Sequence, residues 1–184
     1  MGFHTFDADR AAQLDRDRRY RWCSAEELHA QVTPHEGATI ADLGSGTGFY
    51  TDAIAPDAGT VYAVDIQSGM HERYRERGLP ATVELVQADI GALPFETDAL
   101  DGAFSTMTYH EFSGPEAVAE LARVLRPGGR LVTVDWSRHG AGESGPPRDQ
   151  RHDLGHVTAA VTEAGFTVEH AVTRTETFVC RARR

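Results

Sequence analysis

The chain has 184 residues, 40% hydrophobic and 25% charged, enough for one domain that buries roughly two-thirds of its unfolded surface. No run approaches the roughly 20 apolar residues of a membrane span, and the opening MGFHTFDADR lacks the basic-then-apolar order of a leader, so a cytoplasmic protein without a membrane partner is expected. Net charge is −10 and all 18 basic residues are arginine, which argues against a nucleic-acid partner because phosphate binding needs clustered positive charge.

Residues 7–31 are polar, with Ala11, Leu14 and Tyr20 at helix-like spacing. Ser24 followed by Glu27 fits a capping box that starts a second short helix reaching Val32. Residues 1–36 therefore read as an amino-terminal helical arm. Its Phe3, His4, Phe6, Tyr20 and Trp22 are candidates either for a lid or for packing against the arm's own helices. Residues 37–184 read as the core of a single domain. A buried strand from Ile40 to Leu43 leads into the cluster Gly44-Ser45-Gly46-Thr47-Gly48, a helix to about Ala55, and a second strand, Val61 to Val64, that ends in Asp65. A charged helix from Gln67 to Arg77 stops at Gly78, and Thr82 to Gln87 alternates like a strand that ends near Asp89-Ile90. Leu100 to Thr106 is a fourth strand. Pro115 to Leu125 is an amphipathic helix with proline in its first turn, ended by Arg126-Pro127-Gly128-Gly129. Arg130 to Trp136 is a fifth strand, followed by a glycine- and proline-rich loop over 137–150. A helix from about Asp153 to Ala164 closes at Gly165, and Phe166 to Ala171 with Thr177 to Arg181 read as an antiparallel hairpin. The alternation of strands and helices implies a parallel sheet covered on both faces.

The chemistry starts at the glycine turn. Glycines at alternate positions let a ligand sit against the backbone, where a Cβ would collide. Asp65 lies 21 residues after Gly44, where a crossover returns the next strand's carboxyl end to the turn and a carboxylate can accept both hydroxyls of a ribose. The dinucleotide fingerprint is G-x-G-x-x-G, whereas this turn is G-x-G-x-G with Phe49 next. Asp42 stands before it, where a carboxylate repels a pyrophosphate and suits an ammonium group.

DLGSGTG with Asp65 resembles the class I S-adenosylmethionine-dependent methyltransferases, and three further stretches extend the resemblance: VYAVDIQSGM, VQADIGALPF and LRPGGRLVTVD. It covers roughly residues 38–136, more loosely the remainder, and is most like the small-molecule enzymes of the ubiquinone and menaquinone biosynthesis type. It implies an α/β fold with one Rossmann-like, doubly wound sheet of seven strands in the order 3-2-1-4-5-7-6, the last strand antiparallel and helices on both faces. It implies S-adenosylmethionine as cofactor and S-adenosylhomocysteine as product. Gly44, Ser45, Gly46 and Gly48 would back the methionine tail, with Asp42 near its amino group and the Thr106 carbonyl holding that group. Asp65 would take the ribose; Ile66 and Met70 would flank the adenine; Asp89 and the Ile90 amide would read its edge.

The segment after the fourth strand, Thr106-Met107-Thr108-Tyr109-His110-Glu111-Phe112, would cross the methyl group in this fold. Tyr109, His110 and Glu111 are the candidates to face the acceptor. His110 is a candidate base because imidazole titrates near neutrality, and equally a structural hydrogen-bonder of the loop. Alignment alone can supply much of the rate of transfer from an activated sulfonium. The acceptor is expected to be a small molecule: no Asn/Asp-Pro-Pro-Tyr/Phe stretch follows the fourth strand, and Cys23 and Cys180 are too few for arsenite chemistry. His152 and His156 have helical metal spacing but no further ligands, so no metal is expected. Two alternatives stay open, a cofactor-binding regulatory or partner protein without turnover and a nicotinamide oxidoreductase; oligomeric state is not legible. The acidic, lysine-free composition is a lever that salt-adapted proteins use. Salt adaptation predicts unfolding at low salt and stability in molar KCl, read by circular dichroism; salt-independent stability would rule it out.

Overall fold

The computed structural model describes residues 17–184; Phe3, His4, Phe6, Ala11 and Leu14 lie outside the described residues. The described part of the arm holds a 3-10 turn, Asp17–Arg21, and helix α1, Ala25–Val32. Ser24 caps α1 by accepting the Glu27 N–H at 3.1 Å, as the Ser-x-x-Glu spacing predicts.

Strands β1 (Thr39–Leu43), β2 (Thr60–Asp65), β3 (Val83–Gln87), β4 (Leu100–Thr106), β5 (Leu125–Trp136), β6 (Thr167–Thr173) and β7 (Thr177–Arg183) form one sheet in the order β3-β2-β1-β4-β5-β7-β6. The first five run parallel, and β7 is antiparallel to both its neighbours. Between them lie α2 (Thr51–Ile54), α3 (Ser68–Arg77), α4 (Tyr109–Phe112), α5 (Pro115–Val124) and α6 (Leu154–Glu163).

The inner strands bury both faces, with a period of two, whereas the edge strands β3 and β6 stay partly open. Ile40, Val61, Phe104 and Val132 meet Leu28 of α1, Ile54 of α2 and Tyr74 of α3 on one side. Ala41, Leu43, Ala103 and Leu131 meet Val118 and Leu121 of α5 and Val157 and Val161 of α6 on the other. The buried positions of α5, Ala117, Val118, Leu121 and Val124, follow the helical repeat that the sequence shows. Asp153 caps α6 by accepting the His156 N–H at 2.8 Å.

Four elements differ from the sequence reading. The helix after the glycine turn is only Thr51–Ile54 and passes into a 3-10 turn, Ala55–Asp57, because Pro56 has no N–H to extend it. Strand β5 starts five residues before Arg130. Leu125 already pairs with Leu100, and the Pro-Gly-Gly segment bulges from the ladder, with Gly128 at φ 83°, before Arg130 pairs with Gly102. The final strands run on to Thr173 and Arg183, while Phe166 lies buried ahead of β6.

The 137–150 loop is tied to the sheet from inside. Arg151, 1% exposed, pairs with Glu176, 3% exposed, at 3.1 Å. Its Nε donates to the Pro146 carbonyl at 2.8 Å, and Nη2 donates to the Ser144 carbonyl. Glu176 in turn accepts the Gly142 and Glu143 N–H groups at 3.2 and 3.1 Å. Both charges are out of water and fully engaged, so removing one strands the other. Glu176→Ala is expected to cost about 3–5 kcal/mol in urea unfolding and to open the loop to proteolysis; a loss under about 1 kcal/mol would contradict this.

Candidate active site

Where the strand order reverses, between β1 and β4, the carboxyl ends of the strands open into a cavity of about 700 Å³, within the range of small-molecule sites. Gly44, Ser45, Gly46, Asp65, Ile66, Met70, Asp89, Ile90, Thr106, His110 and Glu111 all line it.

The turn after β1 depends on its glycines. Gly44, Gly46 and Gly48 have φ of 75°, 55° and 85°, the left-handed region that side chains resist. A Cβ on Gly44 would also lie 2.3 Å from the Thr108 methyl, and one on Gly48 would lie 2.1 Å from the Tyr74 ring. The Gly44 and Ser45 amides both donate to the Val64 carbonyl at 2.9 Å, which fastens the turn to β2. Asp65 completes the link: Oδ2 accepts the Gly46 N–H at 2.8 Å and Oδ1 the Gln67 N–H at 2.9 Å. Each oxygen keeps a lone pair, and the carboxylate lies on the cavity wall. Ser45 Oγ is buried without a partner among the described residues, beside the same cavity. Ile66 is 48% exposed, an apolar face open to a ligand, with buried Met70 and Ile90 close behind. Asp89 is exposed and holds its own turn, Oδ1 accepting the Gly91 N–H at 2.8 Å.

Gly48, Asp42 and Tyr109 do not line the cavity. The alternation of β1 turns Asp42 to the same side as Ile40, under α2, where it accepts the Thr51 hydroxyl at 2.6 Å. Tyr109 points into the core against Phe112 and His152, with ring centroids 5.4 and 5.9 Å away. Burial pushes its phenol up to about 12, so it is no base near neutrality.

At the far end Met107, at φ 62°, turns the chain out of β4 and donates its N–H to the Val134 carbonyl at 2.7 Å. That turn sets His110 on Asp135, the buried acid near the end of β5. Asp135 accepts the His110 backbone N–H at 2.6 Å and faces ring Nδ1 at 3.0 and 3.1 Å. Holding Nδ1–H leaves Nε2 with its lone pair, 3.9 Å from Glu111 Oε1. Burial disfavours the imidazolium, yet the Asp135 hydrogen bond and charge, helped by Glu111, raise the His110 pKa above the usual value. Burial lifts Glu111 to about 7 against the pull of His110.

Sequence reasoning missed Asp135, Trp136, Arg18 and Arg21, all close to this space. Asp135 carried a signal, since it stands next to the end of β5 much as Asp65 ends β2. Arg18, Arg21, Trp22 and Trp136 line the cavity, as do Gly145, Pro146 and Pro147 of the loop. His152 is engaged with the Ser113 hydroxyl at 2.6 Å and stacked on His156 at 4.9 Å. Among the described residues there is no cluster of three or more potential metal ligands, and no helix long and apolar enough to cross a membrane.

A protein-family profile described as "Methyltransferase domain" matches residues 41–133. A demethylmenaquinone methyltransferase of Clavibacter sepedonicus is 38% identical over 108 residues, 58% of this chain and 44% of that one. A malonyl-[acyl-carrier protein] O-methyltransferase of Serratia marcescens is 32% identical over 152 residues, 82% of this chain and 56% of that one. This chain thus spans about half the length of those two relatives. Among solved structures, one described as a SAM dependent methyltransferase from Aquifex aeolicus superposes with a TM-score of 0.87 at 28% identity, over 97% of this chain and 98% of that one.

Asp42 gives the turn a pH dependence. Burial raises its pKa to about 7, against the Thr51 hydrogen bond and Arg19. The folded state therefore holds this proton more tightly than the unfolded chain, whose carboxyl titrates near about 4. The stabilisation is full below about pH 4 and is lost as pH rises to about 7. Asp42→Asn removes the titration. Its stability relative to the native protein, from urea unfolding of the ligand-free proteins, is expected to rise by on the order of a few kcal/mol between pH 5 and pH 8. Parallel pH profiles would contradict the shift.

Proposed function

The chain belongs to the methyltransferase-domain family, and on that premise we propose that it transfers a methyl group from S-adenosylmethionine to a small organic acceptor. One observation carries the reading: Asp65 stands on the cavity wall, its carboxylate oriented by the Gly46 and Gln67 amides and its remaining lone pairs free for a pair of hydroxyls. The residues fit the cofactor. Two left-handed glycines, Gly44 and Gly46, bring bare backbone to the cavity edge, and the unpartnered Ser45 hydroxyl awaits a polar group there. Ile66, Met70 and Ile90 supply apolar walls for a flat base, with Asp89 able to accept from an exocyclic amine. Asp42 acts from beneath the turn, through Thr51. When bound, the cofactor supplies an electrophilic methyl on a positive sulfur. A relative named demethylmenaquinone methyltransferase supports a small-molecule acceptor, and a nicotinamide is disfavoured by the glycine spacing.

The chain's own contribution at the far end is His110. Asp135 fixes its tautomer, so Nε2 can take a proton from the acceptor atom as it is methylated. Glu111, titrating near 7 at 3.9 Å, can pass that proton on. Calorimetry tests the two ends separately. Asp65→Ala is expected to weaken S-adenosylhomocysteine binding by at least about tenfold, a charge-assisted bond or two. His110→Ala is expected to keep that affinity and to lose about 10²–10⁴ in kcat. Native affinity in Asp65→Ala, or tighter binding of NAD than of either form of the methyl donor, would overturn the reading; full turnover in His110→Ala would remove the base.

A further inference from the structure

The cavity carries both signs of charge. Its acids, Asp65, Asp89 and Glu111, stand at or just past the carboxyl ends of the strands and on α4, whereas Arg18, Arg19 and Arg21 come from the amino-terminal arm. In a chain of net charge −10, a neutral or cationic acceptor has no need of arginines at that rim, and an anionic one does, because the long-range field repels it. No hydrogen bond or ion pair among the described residues engages Arg18. Arg21 meets Glu143 of the 137–150 loop at 3.3 Å, with both side chains more than 60% exposed. Such a pair is worth little in water and is easily exchanged for another carboxylate.

The chain's two tryptophans line the same cavity. Trp22 and Trp136 meet edge to face, with centroids 5.2 Å apart and planes at 65°. The Arg21 guanidinium lies 4.7 Å over Trp22. Trp136 is held from behind: a Cβ on Gly145 would lie 2.4 Å from its ring, and Arg151 stands 5.5 Å over it. Fixed aromatic faces favour a flat apolar body.

We propose that the acceptor is a planar carboxylic acid. Its ring lies against Trp22 and Trp136, its carboxylate displaces Glu143 to reach Arg21 and Arg18, and its methyl-accepting atom faces His110. This rests on the methyl-transfer reading of the same cavity. The test uses the protein saturated with S-adenosylhomocysteine and three matched pairs of probes: benzoate and benzamide, phenylacetate and phenylacetamide, 2-naphthoate and 2-naphthamide. In calorimetry at least one acid is expected to bind about tenfold or more tighter than its amide and to quench tryptophan fluorescence. The Arg18→Gln/Arg21→Gln double variant is expected to bring that ratio near one while keeping native affinity for S-adenosylhomocysteine and a native unfolding midpoint. Absence of an acid preference in all three pairs overturns the proposal. So does loss of S-adenosylhomocysteine affinity in the double variant, which would assign the arginines to the cofactor's own carboxylate. If the native protein fails to bind S-adenosylhomocysteine at all, the methyl-transfer reading itself has failed.

Discussion

The carboxylate of Asp65 joins the parts of the molecule that meet at the crevice. It ends β2, receives an amide from the glycine turn after β1 on one oxygen, and receives an amide from the start of α3 on the other. A carboxylate so held cannot rotate without stranding two N–H groups, so the lone pairs left over point in fixed directions. The turn itself cannot relax to accommodate another arrangement. Side chains at Gly44 and Gly48 would strike Thr108 and Tyr74, and Val64 already takes the Gly44 and Ser45 amides. Rigidity at one end of the cavity follows from these contacts.

The opposite end is built on a second acid at a strand end. Asp135 orients His110 through its backbone amide and its ring, while Met107 pays a positive φ to swing the segment into reach. The wall beyond belongs to the 137–150 loop, whose shape comes from the buried Arg151–Glu176 pair and the carbonyls and amides around it. The two ends thus have different supports. One is backbone geometry dictated by glycine, and the other is buried charge that must stay paired.

That difference explains what was legible in the sequence. Asp65, Gly44 and Gly46 sit within one crossover unit, so spacing alone was enough to bring them together. The sheet order came from the family resemblance, since alternation of strands and helices does not fix it, and the sheet has that order. The resemblance puts Asp42 near the cofactor's amino group, often through water, and the period of β1 places its side chain under α2, against the Thr51 hydroxyl. Tyr109 was a candidate to face the acceptor and instead fills the core, because in the short helix α4 its neighbour His110 takes the cavity side. Asp135 required knowing that the turn at Met107 brings the segment after β4 back onto the end of β5, and the Arg151–Glu176 pair required knowing where the last hairpin folds back. Residues 1–16, where part of the arm was expected to contribute aromatic side chains, lie outside the described residues.

The central claim is that the crevice between β1 and β4 grips a nucleoside bearing an amino-acid tail. A crystal structure of the protein with S-adenosylhomocysteine tests it directly. The expected result is both ribose hydroxyls within hydrogen-bond distance of the Asp65 oxygens, the homocysteine tail along Gly44–Gly46, and the sulfur facing the His110 side of the cavity. A ligand seated elsewhere, or an Asp65 carboxylate turned off the Gly46 and Gln67 amides and away from the ribose, would contradict the account.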